Sequence, residues 1–192
     1  MEPRRRGSLV LLLIAGLIAA GSGAWVALSR TTGHPLRSGA RAPGFELPSV
    51  AGGSESLARY RGRVLFVNFW ATWCAPCREE APALQRLYER LRAEGFEVLA
   101  ISIDDAGARE KVEGFVREFG LDFPVLLDAD QRVYRAYQAY GVPETFLIEK
   151  EGRVVERFIG PKPWDDARYE RAIRTLLELE PATVPTGEVR GG

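Results

Sequence analysis

Cys74 and Cys77 are the only cysteines of this 192-residue chain, and the stretch around them, Val64 to Glu80, constrains everything else. Before them runs Val64-Leu-Phe-Val-Asn-Phe-Trp70, apolar except at Asn68. An apolar run of that length, β-branched and aromatic, predicts a strand buried on both faces near the centre of a sheet. After them Leu84, Leu87, Tyr88 and Leu91 recur at helical spacing, which predicts a helix over roughly 75–93 with that stripe turned inward. Pro82 should kink this helix and Gly95 should stop it. The Cys-x-x-Cys pair therefore stands where a strand ends and a helix begins.

That position carries chemistry. The free N–H groups and positive dipole end of a helix start favour an anion. A thiolate placed there is stabilised, and the thiolate is the nucleophile of disulfide exchange. Cys74, first in the pair and at the helix start, where exposure and dipole are expected to be greatest, reads as the attacking thiol. Cys77, one turn further in, reads as the resolving thiol that clears the mixed disulfide. Other uses of the pair fit less well. Structural zinc needs four ligands, and the chain adds only His34, far upstream. Haem attachment needs a His directly after the second Cys, where Arg78 stands. A static disulfide closing so short a loop would constrain the unfolded chain little. A redox-active Cys74–Cys77 disulfide is the better reading.

Phe69-Trp-Ala-Thr-Trp-Cys-Ala-Pro-Cys77 resembles the active site of the thioredoxin superfamily, and Tyr140-Gly-Val-Pro-Glu-Thr-Phe-Leu-Ile148 resembles its cis-proline segment. Together they resemble the TlpA/ResA/CcmG (DsbE) branch of membrane-anchored, extracytoplasmic thiol-disulfide reductases, over about residues 42–178. The resemblance implies an α/β, thioredoxin-like fold: a mixed central sheet flanked by helices, an N-terminal β-hairpin extension and an N-terminal transmembrane helix. It also implies that Val142-Pro143 is cis, where the peptide chemistry alone would leave the bond trans. A cis-Pro beside the cysteines leaves the backbone of Val142 free to pair with an extended substrate. Trp73, next to Cys74, is a candidate lip of the substrate surface, and Trp70 is a candidate core residue. Pro76 stiffens the turn and suits the first positions of a helix. Glu144 either borders the groove or is a solvated surface carboxylate; both readings stay open.

Asn68 departs from thioredoxin proper, which carries a buried Asp in the corresponding strand to manage protons near the cysteines. Asn cannot titrate. Glu80 is the candidate replacement: it lies three residues after Cys77 on the same helix, and the ResA-like branch has a carboxylate at the matching position. A carboxylate beside an exchanging thiol can take up its proton. The plainer alternative is a first-turn Glu that complements the helix dipole.

The rest of the chain places this site. Residues 1–8 include Arg4, Arg5 and Arg6, and Leu9 to Leu28 follow as twenty residues without a charge. That length spans a bilayer as a helix, and the arginines keep its start cytoplasmic. The length favours an uncleaved signal anchor over a cleaved signal peptide, for which Ala20 to Ala24 would offer the small residues. Residues 29–42 read as a polar linker containing His34, residues 43–180 as the thioredoxin-like domain, and residues 181–192 as a flexible tail. The expected location is the cell membrane, single-pass, with the catalytic domain on the extracytoplasmic (periplasmic) face, where disulfides form. A formal net charge of zero implies no nucleic-acid partner.

Within the domain the sequence predicts short strands around Phe45–Leu47 and Pro124–Asp128 and a buried strand at Phe96–Ile103. It predicts helices at Arg109–Phe119, Gln131–Tyr140 and about Asp165–Leu179, and a hairpin joining Thr145–Ile148 to Arg153–Ile159. Four functions remain in contention. The first is reduction of disulfides in exported proteins; by resemblance the substrate is an apocytochrome c haem-site cysteine pair or a maturation partner holding it. Electrons would come from a membrane thiol donor of the CcdA/DsbD type, and no metal or other cofactor is expected. The second is an exported disulfide oxidase or isomerase. The third, a peroxiredoxin, expects a Pro-x-x-x-Thr/Ser-x-x-Cys context that is absent. The fourth, a copper chaperone, expects a His in the domain, and none follows His34.

Overall fold

A computed structural model describes residues 36–179. The strand predicted over Val64–Trp70 forms as β3, after a hairpin of β1 (Glu46–Pro48) and β2 (Ser54–Ser56). Helix α1 (Ala75–Leu91) follows directly and continues through Pro82. Next come β4 (Phe96–Ser102), α2 (Arg109–Phe119), β5 (Val125–Leu127) and α3 (Arg132–Ala136). β6 (Glu144–Ile148), β7 (Val154–Ile159) and α4 (Ala167–Glu178) complete the described chain. The main sheet has the order β5-β4-β3-β6-β7; β3, β4 and β5 run parallel, and β6 and β7 run antiparallel. This is the expected mixed sheet, and β1–β2 is the expected hairpin, tied to the edge of β5 through Val50 N–H to Val125 C=O at 2.9 Å.

β3 is central because it is apolar on both faces, and every one of its residues is buried. Strand alternation divides its side chains. Phe66 meets Phe96, Phe158 and Trp164 on one face, with ring centroids 4.9 to 6.1 Å away. Phe69 meets Tyr134, Tyr137 and Phe146 on the other, at 5.4 to 6.0 Å. Burial of each such ring contributes about 1.5–3 kcal/mol. Asn68 falls on the Phe66 face, and this decides what it can touch. Trp70 is core as expected, stacked on Phe115 at 4.3 Å.

Three boundaries differ from the sequence reading. The helix expected over Gln131–Tyr140 forms only as α3, because Gln131 and Gln138 both take left-handed backbone at its two ends (φ 54° and 52°). Buried Asp128 starts it by accepting from Val133 N and Tyr134 N at 3.2 and 2.8 Å. α1 ends at Leu91 and passes through a short 3-10 turn before left-handed Gly95 ends the helical segment. The end of the polar linker is also part of the fold. Gly39 N bonds to Val154 C=O at 2.7 Å and Ala42 N to Gly152 C=O at 2.9 Å, so this segment lies along the start of β7. Backbone pairing of that kind leaves no mark in side-chain composition. The predicted membrane segment 9–28, the first part of the linker and the tail 181–192 lie outside the described residues. No helix among the described residues is long and apolar enough to cross a membrane.

Candidate active site

Cys74 caps α1. Its backbone is extended (φ −86°, ψ 103°) and its Sγ accepts from Cys77 N at 3.2 Å. This is the position of an N-cap side chain, which satisfies a free N–H of the first turn. The two cysteines are joined as a disulfide, with Cα atoms 5.3 Å apart. Both are buried in this state, Cys74 at 5% and Cys77 at 2% exposure, so the two differ little in access. What separates them is the cap: Cys74 holds the helix start, and Cys77 faces the interior.

Pro76 is at the second helical position and exposed, where its missing N–H removes no helical bond. Trp73 is 68% exposed beside Cys74. Val142-Pro143 is cis. Pro143 C=O accepts from Gly160 N at 3.0 Å, whereas Val142 has no backbone hydrogen bond among the described residues. Val142 thus retains the free groups that pairing with an extended chain requires. Tyr140, missed by the sequence reading, is a second large exposed aromatic ring, on the loop before the cis-proline, also 68% exposed.

Glu144 needs correction. It neither borders a groove nor meets solvent: its side chain is fully buried, ion-paired to Arg157 on the neighbouring strand, and accepts from Tyr140 N at 3.2 Å. Arg157 also bonds Gln138 C=O at 2.9 Å and lies over the Tyr140 ring at 4.8 Å. The pair therefore braces the loop that carries the cis-proline from below. Arg78 is partly exposed but not free. Its guanidinium lies over Phe115 and Phe119 at 5.5 and 5.0 Å and pairs with Glu118.

Glu80 is buried, at 5% exposure, on the inner side of α1. Three donors converge on its carboxylate: Asn68 Nδ2 at 3.3 Å, Lys162 N at 3.0 Å and Trp164 Nε1 at 3.1 Å. Burial pushes the carboxyl up to about 7 from an ordinary 4.5, while the hydrogen bonds from Lys162, Asn68 and Trp164 pull it down. A solvated helix-start charge would show neither the burial nor the three partners. Asn68, Trp70, Cys77 and Glu80 line one narrow pocket between α1 and the sheet, which puts the carboxylate on the same enclosed space as the resolving sulfur. The buried Trp70 indole N–H has no hydrogen-bond partner among the described residues.

Trp164 and Lys162 were not among the residues singled out from the sequence. Trp164 is wholly buried, against Phe66, Phe158 and Tyr169. A tryptophan isolated in Gly160-Pro-Lys-Pro-Trp164 is the one signal that could have flagged it. No group of residues suited to holding a metal ion occurs among the described residues.

Residues 38–157 match the model of the AhpC/TSA family. The thiol-disulfide oxidoreductase ResA of Geobacillus kaustophilus is 38% identical over 138 residues, 72% of this chain and 77% of that protein. ResA of Bacillus subtilis is 36% identical over 125 residues, 65% of this chain and 69% of that protein. Among solved structures, a thioredoxin-family thiol:disulfide interchange protein from Chlorobium tepidum superposes with a TM-score of 0.64 at 27% identity, covering 77% of this chain and 99% of its own.

Proposed function

We propose that this chain, which belongs to the AhpC/TSA family and within it to the ResA-like thiol-disulfide oxidoreductases, works as a reductant of disulfides in exported proteins. In the reduced state the Cys74 thiolate attacks one sulfur of a substrate disulfide. A new S–S bond joins Cys74 to the substrate, and the other substrate sulfur leaves as a thiolate and takes a proton. Cys77 then gives its proton to Glu80 and attacks the Cys74 sulfur. The Cys74–Cys77 disulfide forms as the bond between Cys74 and the substrate breaks. The second substrate sulfur leaves as a thiolate and takes the proton back from Glu80, so the substrate departs with two thiols, two electrons richer. A carboxyl with a pKa of about 7 holds both forms near neutral pH, which suits a group that must accept a proton and return it.

The environment of Cys74 carries the reductive direction. An oxidising pair needs a strongly stabilised thiolate. Here the residues between the cysteines are Ala75 and Pro76, which bring neither charge nor donor. Glu79 and Glu80 follow within a turn of Cys77 and oppose a second negative charge in the pair. The charge of Arg78 is already engaged by Glu118 and two aromatic rings. The Cys77 N–H and the helix terminus are the fixed stabilisers left at the Cys74 sulfur. The potential should therefore lie nearer about −270 mV than roughly −120 mV, the values of a reducing and a strongly oxidising pair of this fold. Equilibration in a dithiothreitol or glutathione buffer followed by thiol alkylation measures it. A value at the oxidising end would reverse the direction in favour of an oxidase or isomerase.

The peroxidase reading has little support, since Val67 and Ala71 stand where its motif needs Pro and Thr or Ser. The proposed location and partners rest on the sequence and the resemblance: residues 9–28 as a membrane anchor, a thiol donor of the CcdA/DsbD type in that membrane, and an apocytochrome c cysteine pair or its maturation partner as substrate. Membrane fractionation with N-terminal sequencing tests the anchor. A soluble mature protein that begins near Ala24 would remove it.

A further inference from the structure

We propose that Asp104 is a positioning residue for the attacking sulfur, acting through Thr72. The inference rests on Cys74 being the reactive thiol. Asp104 ends the segment that follows β4 and is buried, at 7% exposure. Both oxygens are engaged. Oδ1 accepts from Thr72 Oγ1 at 2.7 Å; Oδ2 accepts from Thr72 N at 2.9 Å and from Ser102 Oγ at 2.8 Å. Ser102 Oγ in turn accepts from Asp104 N at 3.1 Å, which fixes the carboxylate against its own backbone. The base of the grip is rigid. Ser102 is wholly buried and opposite Trp70 in the β3–β4 register, Ile103 N bonds Trp70 C=O at 3.0 Å, and Asp128 N bonds Ser102 C=O at 2.9 Å.

What is gripped is the turn that delivers Cys74. Cys74 N bonds Ala71 C=O at 3.2 Å, so Ala71 to Cys74 form a four-residue turn with Thr72 at its first corner. Holding both the N–H and the hydroxyl of a corner residue fixes the direction in which the next two residues leave. Those residues are exposed Trp73 and the capping Cys74, whose Sγ must stay on the Cys77 N–H for the thiolate to be stabilised. A carboxylate suits the task because three donors face it; an Asn amide keeps one oxygen for Thr72 N and Ser102 and must reverse the bond to the Thr72 hydroxyl, losing the charge that strengthens all three. The placing of the Cys74 sulfur therefore depends on a residue outside the Cys-x-x-Cys helix.

The test is the pH profile of Cys74 alkylation by iodoacetamide in the full reduced chain. It reads the thiol without a disulfide substrate and so can fail separately from the reductase reading. Thr72→Val deletes the hydroxyl donor and keeps shape and charge. It should raise the midpoint pH of alkylation and slow exchange with a small aromatic disulfide by about ten-fold or more, the scale of misplacing a reacting atom. Thr72→Ser should restore both. Asp104→Asn should slow exchange to a similar degree, and the double variant Thr72→Val/Asp104→Asn should be no slower than the slower single variant. A purely structural role would lower the melting temperature and leave the alkylation midpoint in place. If folded Thr72→Val keeps the parent midpoint and rate, the proposal is wrong, whether or not Asp104→Asn folds.

Discussion

The Asn68 side-chain amide donates to Glu80 Oε1 at 3.3 Å, so a residue that cannot titrate is bonded to one that can. Asn68 also donates to Thr145 Oγ1 at 2.9 Å, opposite it on β6, which ties the carboxylate to the strand that begins at the cis-proline loop. Strand β3 supplies a fixed donor, and helix α1 supplies the proton acceptor. Replacing Glu80 with Gln keeps the shape and removes the acceptor. Glu80→Gln should slow disulfide exchange and lower the cysteine pKa values, because a negative charge beside the thiols is gone. Thiol titration and stopped-flow exchange on the folded variant check this; parent values in both would leave Glu80 without a role in proton transfer.

The order of the cysteines is tested by trapping. Cys74 caps the helix, and Cys77 faces the Glu80 pocket. Cys77→Ser should accumulate a mixed disulfide through Cys74, because the resolving thiol is missing. Cys74→Ser should accumulate little. Mass spectrometry of the adducts formed with a disulfide peptide gives the answer, and a dominant adduct on Cys77 would exchange the two roles.

The Glu144–Arg157 pair makes a different demand. Glu144 is fully buried and Arg157 nearly so. Removing one partner of such a pair leaves a buried charge alone, at a cost of about 3–5 kcal/mol. Arg157→Met should therefore destabilise strongly in urea denaturation, and Arg157→Met/Glu144→Gln should recover much of the loss. Equal stability of the single and double variants would mean that the pair is not coupled.

How legible all this was in the sequence depended on range. β3, the start of α1 and the two cysteines are local patterns, and their limits came out as the residues dictate. Glu80 was legible because its position relative to Cys77 is set by one helix and because Asn68 left a gap in the expected chemistry. Its other donors come from Lys162 and Trp164, brought in by the loop after β7, and no local spacing encodes that approach. Glu144 was misread for the same reason. An acidic residue after a proline looks solvated until Arg157 arrives opposite Phe146, two positions along, on β7. Asp104 has no local mark in the sequence because its partner is Thr72 on the neighbouring strand's exit, a contact made by parallel pairing of β3 with β4.

The last prediction concerns stability and pH. Glu80 titrates at about 7 in the folded chain against an ordinary 4.5, so the folded state binds this proton more tightly than the unfolded state. The stabilisation is full when both states are protonated, below about 4.5. It declines as pH rises, because the unfolded chain loses the proton first, and it is gone above about 7. A shift of this size corresponds to a loss on the order of 3 kcal/mol between acid and neutral pH. Burial also raises the pKa values of Glu97 and Asp128, which act in the same direction, so the parent's slope alone does not isolate Glu80. The comparison with Glu80→Gln does. The variant's altered hydrogen bonds add an offset that does not titrate, and the difference in unfolding free energy should move in the variant's favour from pH 5 to pH 8. Urea denaturation of both oxidised proteins across that range measures it. A difference that stays constant with pH would mean that Glu80 titrates as an ordinary carboxyl, and its part in proton transfer would fall with it.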